Sequence, residues 1–134
     1  MGCKLADHGL ENIPKSDISK EKATLIFKKR LQNKVLSNDE VNCFKITLLI
    51  ELAKLYDAKN WTMQLHLGAI RNNSDRLTKQ FGADAGCDSS GDYEQAEGLS
   101  HFLNNLDIAI NFQKPFCIIW IQVIMKFLQQ CQEI

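Results

Sequence analysis

Apolar side chains follow the spacing of an amphipathic helix in three parts of the chain. In residues 19–34 they recur every three or four positions, with lysines on the opposite side. Ser37 and Glu40 have the spacing of a capping box, which predicts a second helix from there to about Leu55. The apolar spacing of residues 94–106 predicts a third helix.

Residues 61–70 alternate with a period of two, which is typical of a β-strand. One face would carry Trp61, Met63, Leu65, Leu67 and Ala69. The other face would carry Thr62, Gln64, His66, Gly68 and Ile70. A strand that follows a long helix indicates an α/β arrangement with a parallel sheet, in which both faces of a strand are normally buried.

The polar side chains on the second face of this strand need an explanation. In a (β/α)₈ barrel, one face of each strand packs on helices, while the other faces the barrel interior. Residues near the carboxyl ends of the strands then form the active site. Gln64, His66 and, just beyond the strand, Arg71 fit that position.

Two further segments carry polar groups at predicted strand ends. Residues 2–6 form a short mixed segment that ends in Asp7, His8 and Gly9, as expected for a strand that stops at a turn. Residues 71–93 are rich in Asn, Asp, Ser and Gly, with room for one helical turn, and they indicate a long functional loop.

Composition and charge exclude several classes of protein. With 134 residues and 45% hydrophobic content, the chain can form one domain at most. Sixteen basic and sixteen acidic side chains balance, so no net field attracts nucleic acid or a membrane surface. Five scattered cysteines form neither a disulfide framework nor a zinc motif. The first residues lack a signal-peptide core, so we expect a cytoplasmic location.

Three segments in this order share a pattern with one enzyme family. Residues 61–73 read Trp-Thr-Met-Gln-Leu-His-Leu-Gly-Ala-Ile-Arg-Asn-Asn, residues 2–10 look like a preceding barrel strand, and residues 86–92 are similar to a Gly-Phe-Asp-Ser-Ile loop. Together they resemble the uronate isomerases of the amidohydrolase superfamily over residues 1–107. The resemblance implies an aldose–ketose isomerase whose partners are hexuronate sugar acids. It would interconvert D-glucuronate with D-fructuronate, and D-galacturonate with D-tagaturonate.

The resemblance and the strand pattern suggest roles for individual side chains. Such an isomerisation needs a base, an acid and a positive group. We expect His66, Asp7 and His8 to be catalytic, although Asp7 and His8 could instead form a turn or cap at a strand end.

Four further side chains are candidates for substrate binding. They are Arg71, Gln64, Asn72 and Asp88. The planar guanidinium of Arg71 suits a substrate carboxylate or hydroxyl. Asp88 could alternatively be a turn residue that accepts backbone hydrogen bonds.

The family's metal-binding segments are absent from this sequence. Its members hold a metal chiefly with a His-x-His pair on the first barrel strand and an aspartate on the last. We therefore assign no metal ligand here, and expect a divalent metal, with zinc as the first expectation, only in the complete enzyme. The predicted fold is α/β, a partial (β/α)₈ barrel that is mainly helical with two or three short strands. We expect the chain to be an internal fragment of the enzyme that is inactive alone.

Residues 108–134 depart from the family pattern. Members of the family continue with a strand of the form Leu-Pro-Lys/Glu-Thr-Ile-Leu-Tyr. Moving the frame by one base in plausible codons for residues 111–127 gives a sequence close to Leu-Pro-Glu-Thr-Ile-Leu-Tyr. We therefore divide the chain into residues 1–107, part of a barrel domain with a helical insertion, and a frameshifted apolar tail. Self-association through that tail is expected.

A second interpretation is a non-catalytic helical module that binds a partner through residues 19–56 or through the tail. The two hypotheses differ at the strand of residues 61–70. An interaction module has no use for polar side chains on the inner face of that strand, whereas a barrel enzyme requires them. A membrane-associated peptide would rest on the tail alone.

Overall fold

The computed structural model of the chain describes residues 2–85 and 88–110, and the backbone of residues 117–120. The four helices of this part are α1 (Lys20–Leu31), α2 (Asn38–Ala58), α3 (Asp75–Phe81) and α4 (Ala96–Ile110). Its strands are β1 (Leu5–Leu10), β2 (Thr62–Leu67), β3 (Ala69–Ile70), β4 (Ser89–Ser90) and β5 (Cys117–Trp120). The three helices expected from apolar spacing correspond to α1, α2 and α4.

Side-chain caps explain where the first two helices begin. The hydroxyl of Ser19 accepts the backbone N–H of Lys22 at the start of α1. At the start of α2 the predicted capping box is present: Glu40 N–H donates to Ser37 Oγ, and Ser37 N–H donates to the Glu40 carboxylate at 2.8 Å. Lys29 also pairs with Glu40 at 2.7 Å, so the end of α1 is tied to the start of α2.

A parallel sheet with the strand order β1–β2–β5 lies beside these helices. The connection from β1 to β2 contains α1 and α2, as parallel strands require a long crossover. The α/β class and the parallel sheet are therefore confirmed. The described part has five strands, more than the two or three expected, because β3 and β4 form an additional two-residue antiparallel pair.

The bounds of two predicted strands are wrong. The first strand does not stop before Asp7, because Leu5–Leu10 pairs residue by residue with Thr62–Leu67. The strand expected over residues 61–70 is interrupted at Gly68, whose φ of 88° lies in the left-handed region. This break redirects the chain, so that Ala69–Ile70 pairs with Ser89–Ser90 within the predicted loop.

The core lies between the apolar face of β2 and two helices. Met63, Leu65 and Leu67 are buried there, as the alternation predicts. They pack with Ile13 and with helical side chains, namely Ile46, Leu49, Ile50 and Ala53 of α2 and Phe102 and Leu106 of α4. The opposite face of β2 is only partly buried, so its polar side chains remain accessible.

Most of the predicted tail lies outside the described residues. Residues 108–110 extend α4, and β5 pairs in parallel with β2, from Gln64 opposite Cys117 to Leu67 opposite Trp120. None of the helices in the described part of the chain is long and apolar enough to cross a membrane.

Candidate functional site

Polar side chains gather on the face of β1 and β2 that points away from the core. The register pairs Asp7 with Gln64 and Gly9 with His66. Asp7 Oδ1 accepts a hydrogen bond from Gln64 Nε2 at 3.0 Å, while Asp7 Oδ2 lies 3.7 Å from His66 Nδ1. The second distance exceeds that of a hydrogen bond, so the two groups are neighbours without a direct hydrogen bond between them. One acidic and one titratable basic group thus lie together.

Arg71 lies just beyond the carboxyl end of β2 and is held by Asp88. Arg71 Nη1 donates to Asp88 Oδ2 at 2.7 Å, and the other carboxylate oxygen of Asp88 accepts the backbone N–H of Asn72 at 3.1 Å. The Arg71 side chain remains 46% exposed. Arg71 is therefore paired but still accessible to a ligand.

Gly9 provides the space that the Arg71 guanidinium occupies. A Cβ atom at position 9 would clash with Arg71 Nη2. Because Gly9 is paired with His66, the guanidinium fills the place of a missing side chain next to the imidazole. The structure thereby brings Asp7, Gln64, His66 and Arg71 to one face.

His8 lies on the other face of β1, since neighbouring residues of a strand point in opposite directions. Its ring lies 5.7 Å from the ring of Tyr56 in α2, measured between centroids. Burial lowers the pKa of His8, and the charge of Asp7 opposes that shift in part. Among the described residues, its buried Nε2 has no hydrogen-bond partner. The strand alternation thus separates His8 from the other catalytic candidates.

Asn72 is occupied by contacts within the loop. It has a φ of 52°, and its side-chain oxygen accepts the backbone N–H of Asp84 at 2.7 Å. Its own backbone N–H donates to Asp88. Asn73 adds a hydrogen bond from its amide to the hydroxyl of Ser89. The predicted substrate-binding residues Asn72 and Asp88 therefore join the start of the loop to its later residues.

Two residues of this region were not singled out by the sequence pattern. Gly9 leaves room for the Arg71 guanidinium. The sequence signal for this was a glycine on the same strand face as Asp7. Lys45 of α2 lines a cavity of about 260 Å³ together with Gly9, Glu11, Asn12 and Arg71. No periodicity could have placed Lys45 there, because the cavity depends on the packing of α2 beside the strand ends.

The described residues contain no group of three or more His, Cys, Asp or Glu side chains that could hold a metal ion. Asp7 and His66 supply two such side chains, and a protein metal site needs more. This part of the chain therefore does not fit a complete metal centre.

Comparison with known proteins gives one consistent result. A family model described as glucuronate isomerase matches residues 1–123, which extends beyond residue 107 and includes β5. The uronate isomerase of Flavobacterium johnsoniae is 45% identical over 106 residues, covering 79% of this chain and 23% of that protein. That of Histophilus somni is 48% identical over 107 residues, covering 79% of this chain and 23% of its own length.

Two solved structures share the fold of this chain. The uronate isomerase of Thermotoga maritima has a TM-score of 0.70 and 34% identity, over 78% of this chain and 24% of that chain. The glucuronate isomerase of Caulobacter crescentus has a TM-score of 0.71, and at 24% identity it supports the fold alone, over 89% of this chain and 24% of its own. The chain thus spans about a quarter of the relatives that it matches. It belongs to the uronate isomerase family.

Proposed function

We propose that the chain forms one wall of the active site of an aldose–ketose isomerase with a (β/α)₈ barrel. The complete enzyme would interconvert D-glucuronate with D-fructuronate, and D-galacturonate with D-tagaturonate. The observation that carries this proposal is the gathering of Asp7, Gln64, His66 and Arg71 on one face of two parallel strands. In barrel enzymes that face looks into the interior, and the active site lies at the carboxyl ends of the strands.

His66 and Asp7 supply groups suited to moving a proton. In the isomerisation, a proton leaves C2 of the aldose and is returned at C1, while the hydroxyl proton at O2 is lost and O1 gains one. An imidazole can accept and return a proton near neutral pH. The Asp7 carboxylate, 3.7 Å away, stabilises the positive charge that the ring carries in between. We assign His66 the proton-transfer role and Asp7 the supporting one.

Arg71 is suited to bind the anionic part of the substrate. One end of its guanidinium is tied to Asp88, and Nη2 lies over Gly9 on the inner face. A planar guanidinium binds a carboxylate or an enediolate oxygen through directed, charge-assisted hydrogen bonds. We therefore propose that Arg71 contacts the uronate carboxylate or the oxygens of the reacting carbons.

The chain alone is expected to be inactive. A barrel of this type has eight strands, whereas the described sheet has three. A divalent metal in the complete enzyme would need ligands beyond the described residues. The substrate would therefore meet only one side of its site in this chain.

The test compares three proteins in an assay for conversion of D-glucuronate to D-fructuronate. They are the 134-residue chain, a full-length protein that contains residues 1–107 in the family frame, and the same protein with His66→Asn. We expect activity only in the second, with His66→Asn at least 100-fold lower. Turnover by the 134-residue chain would contradict its predicted inactivity. No turnover by the full-length protein would contradict the proposed function.

We also propose that the reading frame changes near residue 108. The alignments with eight curated relatives cover 106 to 108 residues, whereas the family model matches 123 residues. The encoding DNA tests this directly. A second frame that continues with Leu-Pro-Glu-Thr-Ile-Leu-Tyr would support a frameshift, and its absence would refute it.

One observation favours the alternative of a helical interaction module. Leu25, Leu31 and Val35 are 66%, 67% and 87% exposed on α1 and the segment after it. Such side chains can bind a partner protein. This surface does not explain the polar inner face of β1 and β2, which is why the isomerase is the preferred function.

A further inference from the structure

We propose that Asp88 is a positioning residue, which holds the Arg71 guanidinium in the vacant side-chain position of Gly9 beside His66. This inference rests on the proposed function, since it gives Asp88 a role in the same site. It replaces the expectation that Asp88 contacts the substrate directly.

Both carboxylate oxygens of Asp88 already accept hydrogen bonds, and both donors belong to residues 71–72. Oδ2 accepts from Arg71 Nη1 at 2.7 Å, and Oδ1 accepts from the backbone N–H of Asn72 at 3.1 Å. The Asp88 side chain is 23% exposed, half as much as that of Arg71. A carboxylate in this state orients its neighbour more readily than it binds a sugar hydroxyl.

The short antiparallel pair explains why Asp88 meets Arg71. Ala69 is paired with Ser90, and Ile70 with Ser89. Continuing this register by one residue places Arg71 opposite Asp88. Directly opposed residues of an antiparallel pair are close, and opposite charges there attract. The pairing of β3 with β4 therefore places the Asp88 carboxylate next to the Arg71 guanidinium.

Gly9 contacts the other end of the Arg71 guanidinium, at Nη2, whereas Asp88 binds Nη1. Any larger residue at this position would place its Cβ against Arg71 Nη2. The displaced atom would be the far end of a flexible side chain, so the fold could tolerate a larger residue at position 9. The Arg71 guanidinium, however, would have to move. Substitutions at Asp88 and Gly9 thus disturb the same guanidinium by independent routes.

The kinetic test uses a chimeric enzyme in which residues 2–107 replace the matching segment of the Histophilus somni uronate isomerase. Asp88→Asn, Arg71→Lys and the double variant form a double-mutant cycle. We expect each single change to raise KM for D-glucuronate by about tenfold with a smaller effect on kcat. The reason is that the lost contact would bind the substrate and the transition state equally well. The double variant should match Arg71→Lys within about twofold.

The matched control is Asp84→Asn, which makes the same charge change at an exposed position of the same loop. It should leave KM unchanged. If the effects of Asp88→Asn and Arg71→Lys instead multiply, Asp88 binds the substrate itself and the positioning role is refuted. An inactive parent chimera would count against the proposed function, and the next measurement would still decide the role of Asp88.

That measurement follows the side-chain Nε–Hε signal of Arg71 by NMR in the 134-residue chain, with Arg71→Lys for assignment. We expect Asp88→Asn and Gly9→Ala each to shift this signal and increase its exchange with water, while backbone signals of α2 and β2 stay in place. An unchanged signal in Asp88→Asn would overturn the proposal whatever the chimera does.

Discussion

Asp7 and His8 are neighbours in the sequence but lie in different surroundings. Asp7 is on the exposed face of β1 that points away from the core, with its carboxylate beside Gln64 and His66. His8 faces α2 and the ring of Tyr56. Because neighbouring residues of a strand point to opposite faces, the Asp7 carboxylate is accessible, whereas the His8 ring packs against α2.

The surroundings of His8 predict a pH dependence of stability. Burial lowers the pKa of His8 in the folded state below its ordinary value of 6.5. The unfolded chain then binds the proton more readily, so the free energy of unfolding decreases as the pH falls below about 6.5 and is fully retained above it. We expect His8→Phe to reduce the loss between pH 7.5 and 5.5, measured by urea denaturation. An equal loss in both proteins would contradict this.

Gly98 supports a close contact between α4 and the segment before α1. A Cβ at position 98 would overlap the backbone carbonyl of Ile13, a residue that is 1% exposed. Since backbone atoms cannot move aside cheaply, we expect Gly98→Ala to lower the free energy of unfolding by about 1–3 kcal/mol. Asn104→Ala, at an exposed position of the same helix, is the control and should have little effect. Equal stability of the two variants would argue against a close contact.

At the scale of elements, α2 and α3 both begin after a serine at the N-cap position, and only one of these two serines caps its helix with its side chain. Ser37 accepts the N–H of Glu40 at the start of α2, whereas Ser74 precedes α3 without a side-chain cap. We expect Ser37→Ala to lower the free energy of unfolding by about 1 kcal/mol, and Ser74→Ala to leave it nearly unchanged. Denaturation curves of both variants measure the difference. A similar loss in both would mean that the capping hydrogen bond is not its cause.

Local patterns predicted the elements better than they predicted their ends. The helices and the two faces of β2 follow from spacing, because burial repeats with the period of each element. The continuation of β1 through Asp7 and the break at Gly68 depend on pairing with distant residues. The contact of Asp88 with Arg71 likewise requires the register of β3 and β4, which no local pattern contains. Thus the alternation placed Gln64 and His66 on one face of β2, but the contacts that these side chains and Arg71 make could not be predicted from it.

At the scale of the whole molecule, the sheet is unevenly supported. β2 lies between β1 and β5 and has one fully buried face, while in the described residues β1 pairs on one side only and none of its residues is buried. Local opening needs less free energy where fewer contacts and hydrogen bonds must be broken. The two strands of the site should therefore differ in their dynamics.

Hydrogen exchange measured by mass spectrometry tests that difference. In the 134-residue chain we expect the amides of residues 5–10 to exchange faster than those of residues 62–67, because a free strand edge leaves N–H groups without a neighbour. In the proposed barrel of a full-length isomerase that contains this segment, a further strand would cover the edge of β1, and the difference should largely disappear. Equal protection of both strands in the short chain would mean that it already covers its own edge, through self-association or otherwise. Repeating the measurement at tenfold lower protein concentration separates these causes, since only self-association depends on concentration.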